Sequence, residues 1–157
     1  MTGGEPLLQQ DRPAWEHLLR SLYEQGCRIH VETNGTLAPS PATRTFVETF
    51  VVSPKLGNAG AHRGHQNPDL HEDWKGVAES GHAHLKIVCE TSDDVARAVL
   101  LAESRGIPLS QLWVMPLGAT IADLGARWPA IATAAARLRI NATHRLHILA
   151  RGEDRGH

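Results

Sequence analysis

Apolar and polar positions alternate in two rhythms along this chain, and the order of those rhythms predicts its architecture. From Pro13 to Gln25, Trp15, Leu18, Leu19 and Leu22 recur at helical spacing, with Asp11 as the cap and Gly26 as the stop. In CRIHVETNGT, Ile29 and Val31 alternate with polar neighbours, which predicts a strand ending at the Asn34-Gly35 turn signal. A Pro/Ser-rich step from Leu37 to Thr43 leads into TFVETFVVSPKL, where Val47, Phe50, Val51 and Val52 predict a buried strand broken by Pro54. A polar loop from Gly57 to Leu70 follows, then a short helix within His71 to Ser80. His84 to Cys89, with Leu85, Ile87 and Val88, reads as a further strand.

The second half repeats the alternation. Thr91 or Ser92 caps a helix whose first turn carries Asp93 and Asp94, and whose apolar face is Val95, Val99, Leu100 and Ala102 before Gly106. Leu112 to Met115 is the next strand, stopped by Pro116. Thr120 to Leu138 is alanine-rich and helical despite Gly125 and Pro129, and Arg145 to Ala150 reads as a final strand. Strands that alternate with helices pair in parallel, so the fold class is α/β, and functional loops in such sheets gather at the carboxyl ends of the strands. Four chemically distinctive strings, TGGEP, ETNG, SPK and MPLG, each follow or close an apolar strand, so they are expected to share one mouth.

Composition narrows what such a mouth could serve. The 157 residues suit a single domain, residues 1–157, and 16 basic against 17 acidic side chains give no global field to attract nucleic acid or an anionic membrane surface. No run approaches the roughly 18 apolar residues that span a bilayer, and no leader is evident, so the expected location is cytoplasmic. Cys27 and Cys89, the only two cysteines, lie far apart in apolar settings and are expected to be buried, reduced thiols. Trp15, Trp74, Trp113 and Trp128 are too dispersed for a base-stacking platform and read as core anchors.

TGGEPLLQ, VETNGT, SPKL and MPLG, in this order and followed by RLHILARGEDRGH, resemble the 7-carboxy-7-deazaguanine synthase family of radical S-adenosylmethionine (SAM) enzymes. The resemblance implies a partial barrel of parallel strands with outer helices, a homodimer, and three cofactors: SAM, a 4Fe-4S cluster and a magnesium ion. It implies the ring contraction of 6-carboxy-5,6,7,8-tetrahydropterin to 7-carboxy-7-deazaguanine, on the route to queuosine and related deazapurines. It places the amino-acid end of SAM at Gly3, Gly4 and Glu5, further SAM contacts at Ser53 and Lys55, and passage of the adenine at Met115 and Pro116. Thr2, Glu32 and His147 become contacts to the pterin substrate. A carboxylate such as Glu32 suits that role, because it accepts from ring and amino N–H groups.

The chain departs from the family where the radical chemistry would start. It has no CxxxCxxC run for the cluster, no threonine after such a run for magnesium, and no arginine assignable to the substrate carboxylate. The resemblance therefore assigns no catalytic and no metal-ligating residue. The expectation is a truncated radical SAM core domain lacking its N-terminal strands, the SAM- and substrate-binding part of a synthase and inactive alone, whether as a truncated gene model, a gene fragment or one half of a split enzyme, with a homodimer or a complementing N-terminal chain as its partner. The alternative is a non-catalytic half-barrel module that binds a nucleotide or a partner chain.

Taken one at a time, the same residues have plainer readings. Glu5 and Glu32 brace turns, Lys55 sits in water, and His147 lies on the edge of a terminal strand. His62, His65, His71, His82 and His84 invite a metal site, but the spacing does not support one: the HRGH string from His62 to His65 lies in a Gly/Asn/Pro-bearing loop without a helical i, i+4 pair and reads as a solvated loop.

Overall fold

The structure, a computed structural model, describes residues 4–56 and 70–152. Thr2, Gly3, His62 and His65 lie outside the described residues. Five parallel strands, Ile29–Thr33, Val47–Val52, Ala83–Cys89, Leu112–Pro116 and Asn141–Ala142 (β1 to β5), lie side by side in chain order and alternate with helices, an α/β arrangement consistent with a partial barrel. The chain divides into two compact units at Leu85 and Lys86, a boundary that falls inside β3.

The first unit opens with a turn of 3-10 helix at Pro6–Gln9 and continues into α1 (Pro13–Glu24), β1 (Ile29–Thr33), α2 (Pro41–Phe46), β2 (Val47–Val52), α3 (Trp74–Glu79) and the start of β3 (Ala83–Cys89). α1 starts at Pro13, whose fixed φ suits the first helical position. Its cap is Arg12, with no side-chain hydrogen bond, rather than the expected Asp11. Trp15 and Leu19 are the buried positions of α1, whereas Leu18 is exposed. The Trp15 indole N–H donates to the buried Thr43 hydroxyl at 2.9 Å, tying α1 to α2.

α2 corrects the expected Pro/Ser-rich step. The Ser40 hydroxyl accepts the Thr43 N–H, and Pro41 follows at the first helical position, so the residues that looked like a linker nucleate a helix. β1 and β2 pair from Ile29↔Val47 to Thr33↔Val52, with one irregularity at Ile29/His30, and β2 pairs β3 from Phe50↔Ala83 to Val52↔Leu85. Val31, Phe50, Val52, Ala83 and Leu85 are buried on one face, where Trp74 meets Phe50 edge to face at 5.3 Å.

In the second unit the rest of β3 is followed by α4 (Ser92–Ser104), β4 (Leu112–Pro116), α5 (Ile121–Leu138), β5 (Asn141–Ala142) and α6 (Leu146–Arg151). Thr91 caps α4 in a reciprocal box with Asp94. Leu100, expected on the apolar face of that helix, is 64% exposed, and Ala98 packs in its place. β4 and β5 pair through Trp113↔Asn141 and Val114↔Ala142. The segment Arg145 to Ala150, expected to be a strand, is helical, and the terminal strand is β5 before it. Its alternation of Leu146, Ile148 and Ala150 misleads, because only Ile148 is buried while Leu146 and Leu149 face outward.

Candidate functional site

The GGEP string is held in place by its own acid. Gly4 takes φ +62, a conformation that glycine adopts without strain, and Glu5 turns the chain into the 3-10 segment. The Glu5 Oε1 accepts the Leu7 N–H at 3.1 Å and the Thr33 hydroxyl at 2.7 Å, and its Oε2 accepts the Asn34 N–H at 2.7 Å. The Thr33 oxygen in turn accepts the Gly35 N–H at 3.1 Å, and the Thr33 carbonyl accepts the Ser53 N–H at 2.8 Å. TGGEP, ETNG and SPK, represented by Glu5, Thr33, Asn34 and Ser53, therefore meet in one hydrogen-bonded rim at the carboxyl ends of β1 and β2.

Close packing fixes the turn behind that rim. Gly35 has φ +82, and a Cβ there would stand 2.6 Å from side-chain carbons of both Leu70 and Val52. Its carbonyl accepts the His71 N–H at 2.9 Å and the Trp74 indole N–H at 3.0 Å. On the rim itself Ser53 is half-buried and Lys55 exposed. Glu32 is exposed and stands in register with Val51, which is in register with His84.

The MPLG string belongs to the second unit. Met115 and Pro116 are buried at the end of β4, and the Leu117 N–H donates to the Cys89 carbonyl at 2.7 Å, aligning the ends of β4 and β3. His147 is an exposed residue of α6 rather than of a strand. Just before it, His144 packs edge to face on Trp128 at 5.1 Å. His144 Nδ1 and Arg145 Nε are buried and find no hydrogen-bond partner among the described residues. Periodicity gave no sign of this pair, nor of His84, whose Nδ1 is in the same condition.

No family model matches the chain. Individual relatives do. The chain is 35% identical over 156 residues to the 7-carboxy-7-deazaguanine synthase of Pyrobaculum aerophilum, covering 99% of this chain and 66% of that protein. It is 33% identical over 160 residues to the synthase of Hyperthermus butylicus, covering 95% and 63%, and 34% identical over 164 residues to that of Halobacterium salinarum, covering 94% and 62%. The chain is homologous to 7-carboxy-7-deazaguanine synthases. It spans 62 to 66% of the length of these three relatives.

The cysteines do not fit the iron–sulfur cluster that the synthase resemblance implies. Cys27 is exposed, contrary to the expected buried thiol, and Cys89 is fully buried. Burial, helped by the nearby Asp94 charge, pushes the Cys89 thiol up to about 12, and iron takes thiolate rather than thiol. Among the described residues no group of histidine, cysteine and acidic side chains is placed to hold a metal ion. No helix among them is long and apolar enough to cross a membrane. In the first unit the Arg28 guanidinium holds the Glu48 carboxyl low through a bidentate hydrogen bond, and in the second the Thr120 hydroxyl holds the Asp123 carboxyl low.

Proposed function

We propose that this chain is the SAM- and substrate-binding part of a 7-carboxy-7-deazaguanine synthase, the radical SAM enzyme that contracts 6-carboxy-5,6,7,8-tetrahydropterin to 7-carboxy-7-deazaguanine. The observation that carries the reading is the rim joining Glu5, Thr33, Asn34 and Ser53, on a chain homologous to those synthases over nearly its whole length. In that rim Glu5 is a brace: both of its oxygens are engaged, so it holds the Gly4 backbone in place for the amino-acid end of SAM. Gly4 is exposed, and a Cβ there would meet nothing within 4 Å, so its backbone is open to a ligand. Ser53 and Lys55 follow on the same rim as further SAM contacts, and Met115 and Pro116 flank the adenine. Glu32, with Thr2 and His147, addresses the pterin.

SAM bound with a cluster supplies the hydrogen-abstracting radical of such enzymes. The two cysteines of this chain cannot seat the cluster, so turnover depends on ligands contributed from outside these 157 residues. The same deficit favours a second reading, a half-barrel that binds its ligand without transforming it.

Equilibrium binding separates the readings from an unrelated role. Calorimetry on the purified chain should give measurable affinity for 6-carboxypterin and weak or no binding of SAM, which lacks its cluster contact. Indifference to pterins would overturn the proposal, whereas submicromolar SAM affinity would refute only the dependence on the cluster contact and favour the second reading. Adding a cluster-bearing segment of a synthase and recovering product supports the first reading, and ligand binding without recovery supports the second.

A further inference from the structure

Three strands of the first unit carry one lateral row on the less buried face of their sheet. Glu32 is in register with Val51, and Val51 with His84, so the three side chains leave the sheet on the same side. The rows on either side, Val31 with Phe50 and Ala83, and Thr33 with Val52 and Leu85, are buried. In contrast Glu32 is exposed, and Val51 and His84 are half-buried. Two strand spacings separate the ends of the row, about 9–10 Å between the Glu32 and His84 backbones, with an apolar residue between them.

His84 is out of keeping with its surroundings. Its Nδ1 is buried and finds no hydrogen-bond partner among the described residues, although buried polar atoms in folded proteins are nearly always paired. An imidazole nitrogen donates or accepts according to tautomer, and the ring turns readily about χ2, so a half-buried histidine can present that nitrogen to a bound molecule. We propose that His84 is a substrate-positioning residue, which hydrogen-bonds one edge of a flat two-ring heterocycle whose opposite edge donates N–H groups to Glu32 and whose face rests on Val51. This rests on the reading of the chain as the pterin-binding part of a synthase, and adds to it a specificity group that neither the GGEP nor the ETNG string contains. A ligand lacking a hydrogen-bonding group at its far edge would leave the imidazole unpaired and would be rejected accordingly.

The test titrates the full chain with 6-carboxypterin, followed by quenching of pterin fluorescence, for the unaltered protein, His84→Leu and His84→Asn. His84→Leu should weaken binding about tenfold, and His84→Asn, which keeps a hydrogen-bonding atom near the Nδ1 position, should recover to within about threefold of the unaltered chain. In parallel, nitrogen NMR of the unaltered protein should show the His84 ring nitrogens shifting on pterin addition, a readout that needs no variant to fold. Binding of pterin with unmoved His84 resonances, or a His84→Leu chain that folds and binds as tightly as the original, overturns the role of His84 and leaves the functional reading standing. No binding of 6-carboxypterin by the unaltered chain overturns that reading first, and this inference with it.

Discussion

Glu5 and Thr33, 28 residues apart in sequence, meet through a 2.7 Å hydrogen bond from the threonine hydroxyl to the carboxylate. The threonine is the last residue of β1 and is buried, so the contact pins a turn that precedes α1 to the end of a strand that follows it. The backbone geometry of the glycine string is thereby set by the strand, and so is the position of anything that string holds.

Glu5→Gln should loosen this rim. An amide offers one acceptor where the carboxylate offers two, so one of the Leu7 and Asn34 N–H groups would face another donor. The expected loss is about 1–3 kcal/mol, the usual cost of breaking hydrogen bonds to a charged acceptor that is partly shielded from water. Thr33→Val should cost less, and the double variant less than the sum of the two, because both remove the same contact. Denaturant midpoints measure all three, and strict additivity would show that the two residues do not act together.

Gly35→Ala should be more damaging than its size suggests. The residue has φ +82, and the added methyl would press on Leu70 and Val52 at 2.6 Å, both of them core side chains. Backbone strain and overpacking together give an expected loss of about 2–4 kcal/mol. Thermal unfolding reads the effect, and an unchanged midpoint would mean that the turn can relax away from the core.

Local pattern carried most of the elements and misjudged two of them. β1 and β3 were legible because one face of each is buried, which writes a period of two into the sequence, and β2 and β4 because each is a short apolar run stopped by a proline. α2 was hidden because six residues are too few for a helical period to show, although Ser40 followed by Pro41 is a start signal in its own right. α6 was mistaken for a strand because its apolar residues happen to alternate, and it buries too little to impose a helical stripe. The candidate site divides in the same way. The loops that form it could be named from their residues, but the roles within it depend on contacts between distant positions. Glu5 as a brace appears only once Thr33 and Asn34 are beside it, and His84 joins the row of Glu32 only through strand register.

Asp94 is expected to be the most sensitive polar residue of the second unit. It is 1% exposed, and its Oδ2 accepts the Glu90 N–H at 2.9 Å and the Thr91 N–H at 3.2 Å, closing the start of α4. Asp94→Ala should cost about 1–3 kcal/mol, since it removes a cap and leaves two part-buried N–H groups without their acceptor. Arg97, which lies 3.3 Å from the other oxygen but is largely in water, should contribute less than about 1 kcal/mol when replaced by alanine. Equal effects of the two substitutions would shift the explanation from the cap to the ion pair.

The two cysteines should behave oppositely toward alkylating reagents. Cys27 is exposed, while Cys89 is buried and its thiol is pushed from 9.0 to about 12, first by desolvation and then by the Asp94 charge. The reactive species is the thiolate, so iodoacetamide at neutral pH should modify only Cys27 in the folded chain and both residues after denaturation, as read by mass spectrometry. The sign of the linked pH effect follows from the raised value. The unfolded chain gives up the Cys89 proton near 9 while the folded chain keeps it until about 12, so the stabilisation tied to the neutral thiol is whole below 9 and drains away as pH climbs through that window. Cys89→Ala should flatten the fall in stability across this range even though it lowers stability at neutral pH by opening a small cavity. Modification of both cysteines in the folded chain at neutral pH would show instead that the end of β3 opens to solvent.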